Sequence, residues 1–199
     1  ELIGFFGPKL GVYVPMNSEM RDVYSDGLIY GVNFQIWWRE FGSILEVSKF
    51  DQERVLPITK TQVKNATTQG DWKYANTNLG LTFLYISYVW APSFLNIKSS
   101  KLLNRSGILP DNMWKGYFGL GAGATLISER FRGERYAVTN EWLYASVTTR
   151  EVLTAYQILI GFINEGRLSF DVRYNIIPTR SNTGFSDLNG LSLSISLFF

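Results

Sequence analysis

Hydrophobic and polar positions alternate along most of this chain with a period of two. The final segment shows it best: Leu191, Leu193, Ile195, Leu197 and Phe199 fall on one side, Ser192, Ser194 and Ser196 on the other. Upstream, Leu168, Phe170, Val172, Tyr174 and Ile176 alternate with Ser169, Asp171, Arg173 and Asn175. Val152, Thr154, Tyr156, Ile158, Ile160 and Phe162 share another face, as do Leu28, Tyr30, Val32, Phe34, Ile36 and Trp38. Successive side chains of a strand point to opposite sides, so each stretch is a β-strand with one apolar and one polar face. Weaker alternations bring the count to about eight, at roughly 3–14, 28–38, 42–51, 73–90, 114–128, 141–164, 167–177 and 189–199. In the fourth, Leu79, Leu81, Phe83 and Tyr85 form the apolar side, which leaves Leu84 and Ile86 nominally inward, with Leu159 of the sixth.

The links between strands are unequal. Arg39-Glu40-Phe41-Gly42 and Asn164-Glu165-Gly166-Arg167 read as tight hairpins. The links at about 15–27, 52–72, 129–140 and 178–188 are long and hold much of the charge. Short turns at one end and long loops at the other predict an all-β, antiparallel up-and-down barrel with both termini at the short-turn rim. Residues 91–113, with Pro92 and Pro110, break the alternation and read as an inserted segment with a helical turn around 98–104. The length, 199 residues, suits one domain spanning 1–199.

Such a barrel has two solutions: apolar faces inward, as in a soluble binder, or outward, as in a membrane. Only 18% of residues are charged, so no strand has the Lys- and Glu-rich face that water would require. The polar faces carry small or amide residues instead, which fit a narrow lumen. Gly119, Gly121 and Gly123 form a small-residue lumen face, and Asp171 and Arg173 are expected to pair there with Glu46. The aromatics sort by height. One rim collects Phe5, Phe6, Trp37, Trp38, Phe41, Tyr88, Trp90, Trp114, Phe162 and Phe199; the other collects Tyr13, Tyr30, Phe50, Trp72, Tyr74, Trp142, Tyr144 and Tyr174. Two aromatic bands around an apolar belt are what the two bilayer interfaces favour, so Trp37, Trp38, Trp90, Trp114, Trp72 and Trp142 are assigned to the interfaces. The reading is a transmembrane β-barrel. The uncharged stretch 74–97 is no helical span, because polar residues fill its first half and Pro92 breaks its second.

Charge and rare residues then limit the chemistry. Lys+Arg 19 against Asp+Glu 17 leaves no basic excess for nucleic acid. With no Cys and no His, thiolate and Ser-His chemistry are absent and no metal or cofactor site is expected. The run 119–124 can be written G-x-G-x-x-A, but strand follows it rather than the helix a dinucleotide site needs. The chain is read as no enzyme. In the charged stretch 129–135, the Arg residues are candidates to meet lipopolysaccharide phosphates at the outer face.

The terminal pattern Leu191, Leu193, Ile195, Leu197, Phe199 resembles the C-terminal strand of bacterial outer-membrane barrels. The chain as a whole resembles the small eight-stranded group that includes the OmpA membrane domain, OmpX and OmpW. That resemblance implies an outer-membrane location after removal of a signal peptide, with the lipid bilayer around the barrel. It also implies recognition of the last strand by the barrel-assembly machinery. The enzymatic barrels of this class lean on a His, which this chain lacks. The expected role is a closed or narrow barrel, monomeric, anchoring surface loops. The alternatives are OmpW-like passage of small hydrophobic molecules and a soluble lipocalin-like binder of apolar ligands.

Overall fold

The computed structural model describes residues 2–56, 72–98, 113–136, 142–164, 168–178 and 188–199. Its elements run β1 (Leu2–Pro15), α1 (Ser18–Tyr24), β2 (Gly27–Trp38), β3 (Phe41–Leu56), β4 (Trp72–Trp90), a 3₁₀ turn (Ser93–Leu95), β5 (Asn96–Lys98), β6 (Met113–Tyr136), β7 (Trp142–Asn164), β8 (Leu168–Ile176) and β9 (Gly190–Leu197). Neighbouring strands pair antiparallel in the order β4-β3-β2-β1-β9-β8-β7-β6, and β4 also bonds to β6, so eight strands close into a ring. β5 lies outside that ring, continuing the ladder on β6 below the point where β4 ends.

The registers set the barrel's shape. From Leu2 the cross-strand partners run through Trp38, Phe41, Trp90, Phe118, Ile160, Val172 and Leu193, and return to β1 at Val12, ten residues further on. Eight strands with that stagger tilt by about 40° and leave an interior only as wide as side chains can fill. Both ends of the described chain meet at one rim, where the Phe199 amide donates to the Phe6 carbonyl at 3.0 Å. The β2–β3 turn at the same rim is tight, with Arg39 at a φ of 57° and its guanidinium over the Trp38 ring.

The apolar faces look outward. Val32, Phe170 and Leu193 are 39%, 39% and 47% exposed, while Asn33, Ser194 and Asp171 are buried in the lumen. Exposed Leu10, Leu45, Ile86, Leu120 and Ile158 continue the same surface around the ring. A soluble binder would require the reverse. No described helix is long and apolar enough to cross a membrane; the strands provide the apolar surface. The fold is a transmembrane β-barrel.

Several expectations need correction. β4 carries Leu79, Leu81, Phe83 and Tyr85 inward, and Leu84 and Ile86 outward. The reason is height: above the lipid belt the outward positions become Thr82, Gly80 and Asn78, and the apolar residues move inside to fill the upper lumen. Leu159 does point inward. The stretch expected as a loop at 129–140 is strand as far as Tyr136, and β3 likewise runs on to Leu56. β3, β4, β6 and β7 therefore stand above their neighbours as a wall, with β6 and β7 projecting roughly 25 Å at 3.3 Å per residue and this tilt. In the 91–113 link a 3₁₀ turn spans Ser93–Leu95 and Lys98 is strand; the rest of the helical turn expected at 98–104 falls within 99–112, outside the described residues.

Candidate functional site

The lumen is layered, and the middle layer is ionic. Inward positions of β1, β3 and β8 bring Lys9, Glu46, Asp171 and Arg173 together, two cations and two carboxylates, all buried. Lys9 and Arg173 both reach Glu46, and Arg173 Nη2 lies 3.1 Å from Asp171 Oδ2. Ser48 Oγ donates to Glu46 at 2.6 Å, and the Tyr117 hydroxyl donates to Asp171. Asn33 Nδ2, donating to Ser196 Oγ at 2.8 Å, and Gln157 Nε2, donating to Ser87 Oγ at 2.6 Å, extend the polar layer along the wall. Charges this far from water persist only when paired and hydrogen-bonded, and here each has a partner of opposite sign.

Apolar layers close the lumen on both sides of it. Towards the terminal rim Trp37, Ile44, Val89, Tyr117, Leu159 and Phe198 pack together, with Trp37 and Tyr117 edge to face at 5.6 Å. Towards the loop end Tyr13, Phe50, Phe83 and Leu81 form a second cluster, with the Tyr13 ring 4.9 Å from Phe50 and 5.5 Å from Phe83. α1 caps this cluster. It starts at Asn17, whose Oδ1 accepts the Met20 amide at 3.2 Å, and it inserts Met20 and Tyr24 into the apolar layer. The Tyr24 hydroxyl donates to Glu129 Oε1 at 2.7 Å and stands 2.5 Å from Thr77 Oγ1.

Glu129 sits above the lipid belt, where the outward neighbours on β6 are Ser128 and Arg130. Burial raises its carboxyl from 4.5 to about 7, partly offset by the Tyr24 hydrogen bond. The same burial pushes the Tyr24 hydroxyl up. The folded state therefore holds a proton between about pH 4.5 and 7 that the unfolded chain has released, and stability falls as pH rises through that window. The full loss, complete above pH 7, is on the order of 3 kcal/mol. Hydrogen exchange at the α1 amides should accordingly be slower at pH 5 than at pH 8 after correction for intrinsic rates, and Glu129→Gln should remove the difference. An equal pH response in Glu129→Gln would show that another group loosens the cap.

The site residues expected from sequence fall as follows. Glu46, Asp171 and Arg173 lie in one cluster; Lys9 and Tyr117, not anticipated, complete it. Lys9 was legible in principle, since it has the parity opposite to outward Leu10 and Val12. Gly119, Gly121 and Gly123 face the lumen, pressed against β4 and Gln157. Leu193, Ile195, Leu197 and Phe199 point outward on and beyond β9, with Leu191 half-buried. Trp38, 54% exposed, and Trp90 stand on the outer surface, as does Trp114 beside the Phe170 ring.

Trp37 is not an interface residue. It is 8% exposed inside the lumen, donating to Gln35 Oε1 at 3.0 Å, because adjacent residues of a strand cannot share a face. Trp72 and Trp142 are placed by their backbones at the far tips of β4 and β7, opposite Arg135 and Tyr136, well above the belt; their side chains lie outside the described residues. Tyr13 and Phe50 fill the lumen, and exposed Tyr144 stands opposite Glu134, well above the belt, so the upper band on the described outer surface reduces to Tyr30, Tyr156 and Tyr174.

No protein-family model matches this chain, and no curated protein does. Among solved structures, Ail, the attachment invasion locus protein of Yersinia pestis, aligns over 98% of this chain and 99% of that one, at 12% identity and a TM-score of 0.46. Neisserial surface protein A aligns over 100% and 99%, at 10% identity and a TM-score of 0.48. A Rhodopseudomonas blastica porin variant aligns over the full length of both chains at 10% identity, with a TM-score of 0.26. At these identities and scores no function is transferred from them.

Proposed function

We propose that this chain, as one domain, is an integral protein of a bacterial outer membrane whose closed barrel anchors a tall, loop-bearing wall at the cell surface. The observation that carries this reading is the filled lumen: a buried ionic layer held between two apolar clusters, with α1 packed over the upper one. Such a stack offers neither a hydrated path for ions nor an unbroken apolar one. The rest of the reading follows from position. The outward apolar face of β9 is the part presented to the barrel-assembly machinery, the bilayer surrounds the belt, and the barrel works as a monomer without a cofactor or catalytic role.

The test is electrical and electrophoretic. The folded protein should partition into detergent and run faster on a gel unheated than boiled, and it should give no conductance steps in a planar bilayer. Steady open-channel steps would overturn the anchor reading. One observation favours passage of small apolar molecules instead: the upper lumen is lined by Phe50, Phe83, Leu79 and Leu81. That route needs α1 to move and the ionic layer to part, and uptake of a hydrophobic dye into vesicles bearing the protein distinguishes it.

A further inference from the structure

The outer face of the projecting wall carries a groove of about 660 Å3, lined by three arginines and a single carboxylate, Glu53. Arg130 and Arg132 come from β6, while Arg150 comes from β7, where it pairs with Ser128. Arg132 is two residues from Arg130 on one strand and Arg150 is diagonal to Arg130 across the ladder, so Arg130 starts about 7 Å from each of the others and can share an anion with either. At the groove's edge, Gly80 of β4 pairs with the lining residue Ser128 and leaves room there, for a Cβ would come no closer than 3.7 Å to any atom. Directly below, Leu126 and Val152 are the last apolar residues of this face, both exposed to lipid. The arginines thus begin about 5 Å above the hydrocarbon edge and end about 15 Å above it, by the rise and tilt of the strands.

We propose that this groove binds the phosphorylated saccharide headgroup of an outer-leaflet glycolipid, that is, lipopolysaccharide. The inference rests on the anchor reading, which puts the loop end outside. Guanidinium groups bind phosphate through paired hydrogen bonds, and three of them face one acid here. A glycerophospholipid offers one phosphate at one height. The groove is taller than that, and between its arginines it sets the Asn76 and Asn78 amides and the Ser128 and Thr148 hydroxyls, which suit sugar hydroxyls.

The experiment uses the full chain folded in dodecyl maltoside and native mass spectrometry. The probes are a rough-chemotype lipopolysaccharide, the same material with its phosphates removed by hydrofluoric acid, and dioleoyl phosphatidylglycerol. The intact glycolipid should bind at least tenfold more tightly than either of the others. The triple variant Arg130→Gln, Arg132→Gln, Arg150→Gln should lose at least that factor. So should Gly80→Glu, which places a negative charge beside Ser128 at the groove's edge while leaving every arginine in place. Phosphatidylglycerol binding equally well, or affinity unmoved in Gly80→Glu, overturns the groove assignment. A chain that stays monomeric in water without detergent overturns the anchor reading instead.

Discussion

Replacing Arg173 by Ala should destabilise the barrel by about 3–5 kcal/mol, because it leaves two buried carboxylates facing one buried cation. Arg173 bridges β8 to β3 across the lumen, touching Glu46 and, at 3.1 Å, Asp171. It is also the largest fully buried side chain among the described residues, so its removal opens a void as well as an uncompensated charge. Urea unfolding in lipid vesicles, followed by tryptophan fluorescence and by mobility of the unheated protein, reads the loss directly. The charge-balanced pair Glu46→Leu with Arg173→Met leaves Lys9 and Asp171 to neutralise each other. It should cost less than the sum of its single changes, with a coupling of about 1–3 kcal/mol. A single Arg173→Ala change within about 0.5 kcal/mol of the parent would mean the ionic layer is not what holds the lumen shut.

Gly123→Ala should cost about 3 kcal/mol or block folding, and clearly more than Gly121→Ala. The added carbon at 123 would sit 1.9 Å from the Leu84 carbonyl oxygen and 2.9 Å from the Tyr85 Cα, both backbone of β4. Relief requires the β4–β6 ladder itself to move. At 121 the nearest atoms are the Ser87 Oγ, 2.2 Å away, and the Gln157 Cγ, 2.8 Å away, and side chains can rotate aside. The cost there is the hydrogen bond between Gln157 and Ser87, about 1 kcal/mol. The two alanine variants are compared by the folded, heat-modifiable fraction after refolding into detergent. Equal yields, or the reverse order, would show that β4 is not pressed against β6 as described.

Strand number, strand direction and the outward face were all readable from the chain alone. Lipid imposes one demand at every outward position of the belt, and a demand repeated every second residue leaves a trace in a single sequence, as in Leu193, Ile195 and Leu197. That trace disappears where lipid ends. In β4 the apolar set changes sides at Thr82, which is why Leu79 and Phe83 were assigned outward. The charges at 129–135 looked like a loop for the same reason, because a strand standing in water needs polar residues outside. A seven-residue helix such as α1 shows no periodicity long enough to detect, and its place is set by Met20 and Tyr24 finding the apolar mouth of the lumen.

Glu46, Asp171 and Arg173 could be assigned to the lumen from parity, but not matched with Lys9 or Tyr117. Nor could Arg150 be set beside Arg130. By itself the sequence determined which way the side chains of the belt face outside β4 and Trp37, since that depends only on neighbours two residues away. The tertiary structure alone decided which inward residues share a height. That depends on the ten-residue stagger around the ring, which carries β1, β3 and β8 past one another until their charges meet beside Tyr117 of β6. Local pattern records the solvent on each side of a strand, whereas closure of the barrel chooses the partners across it.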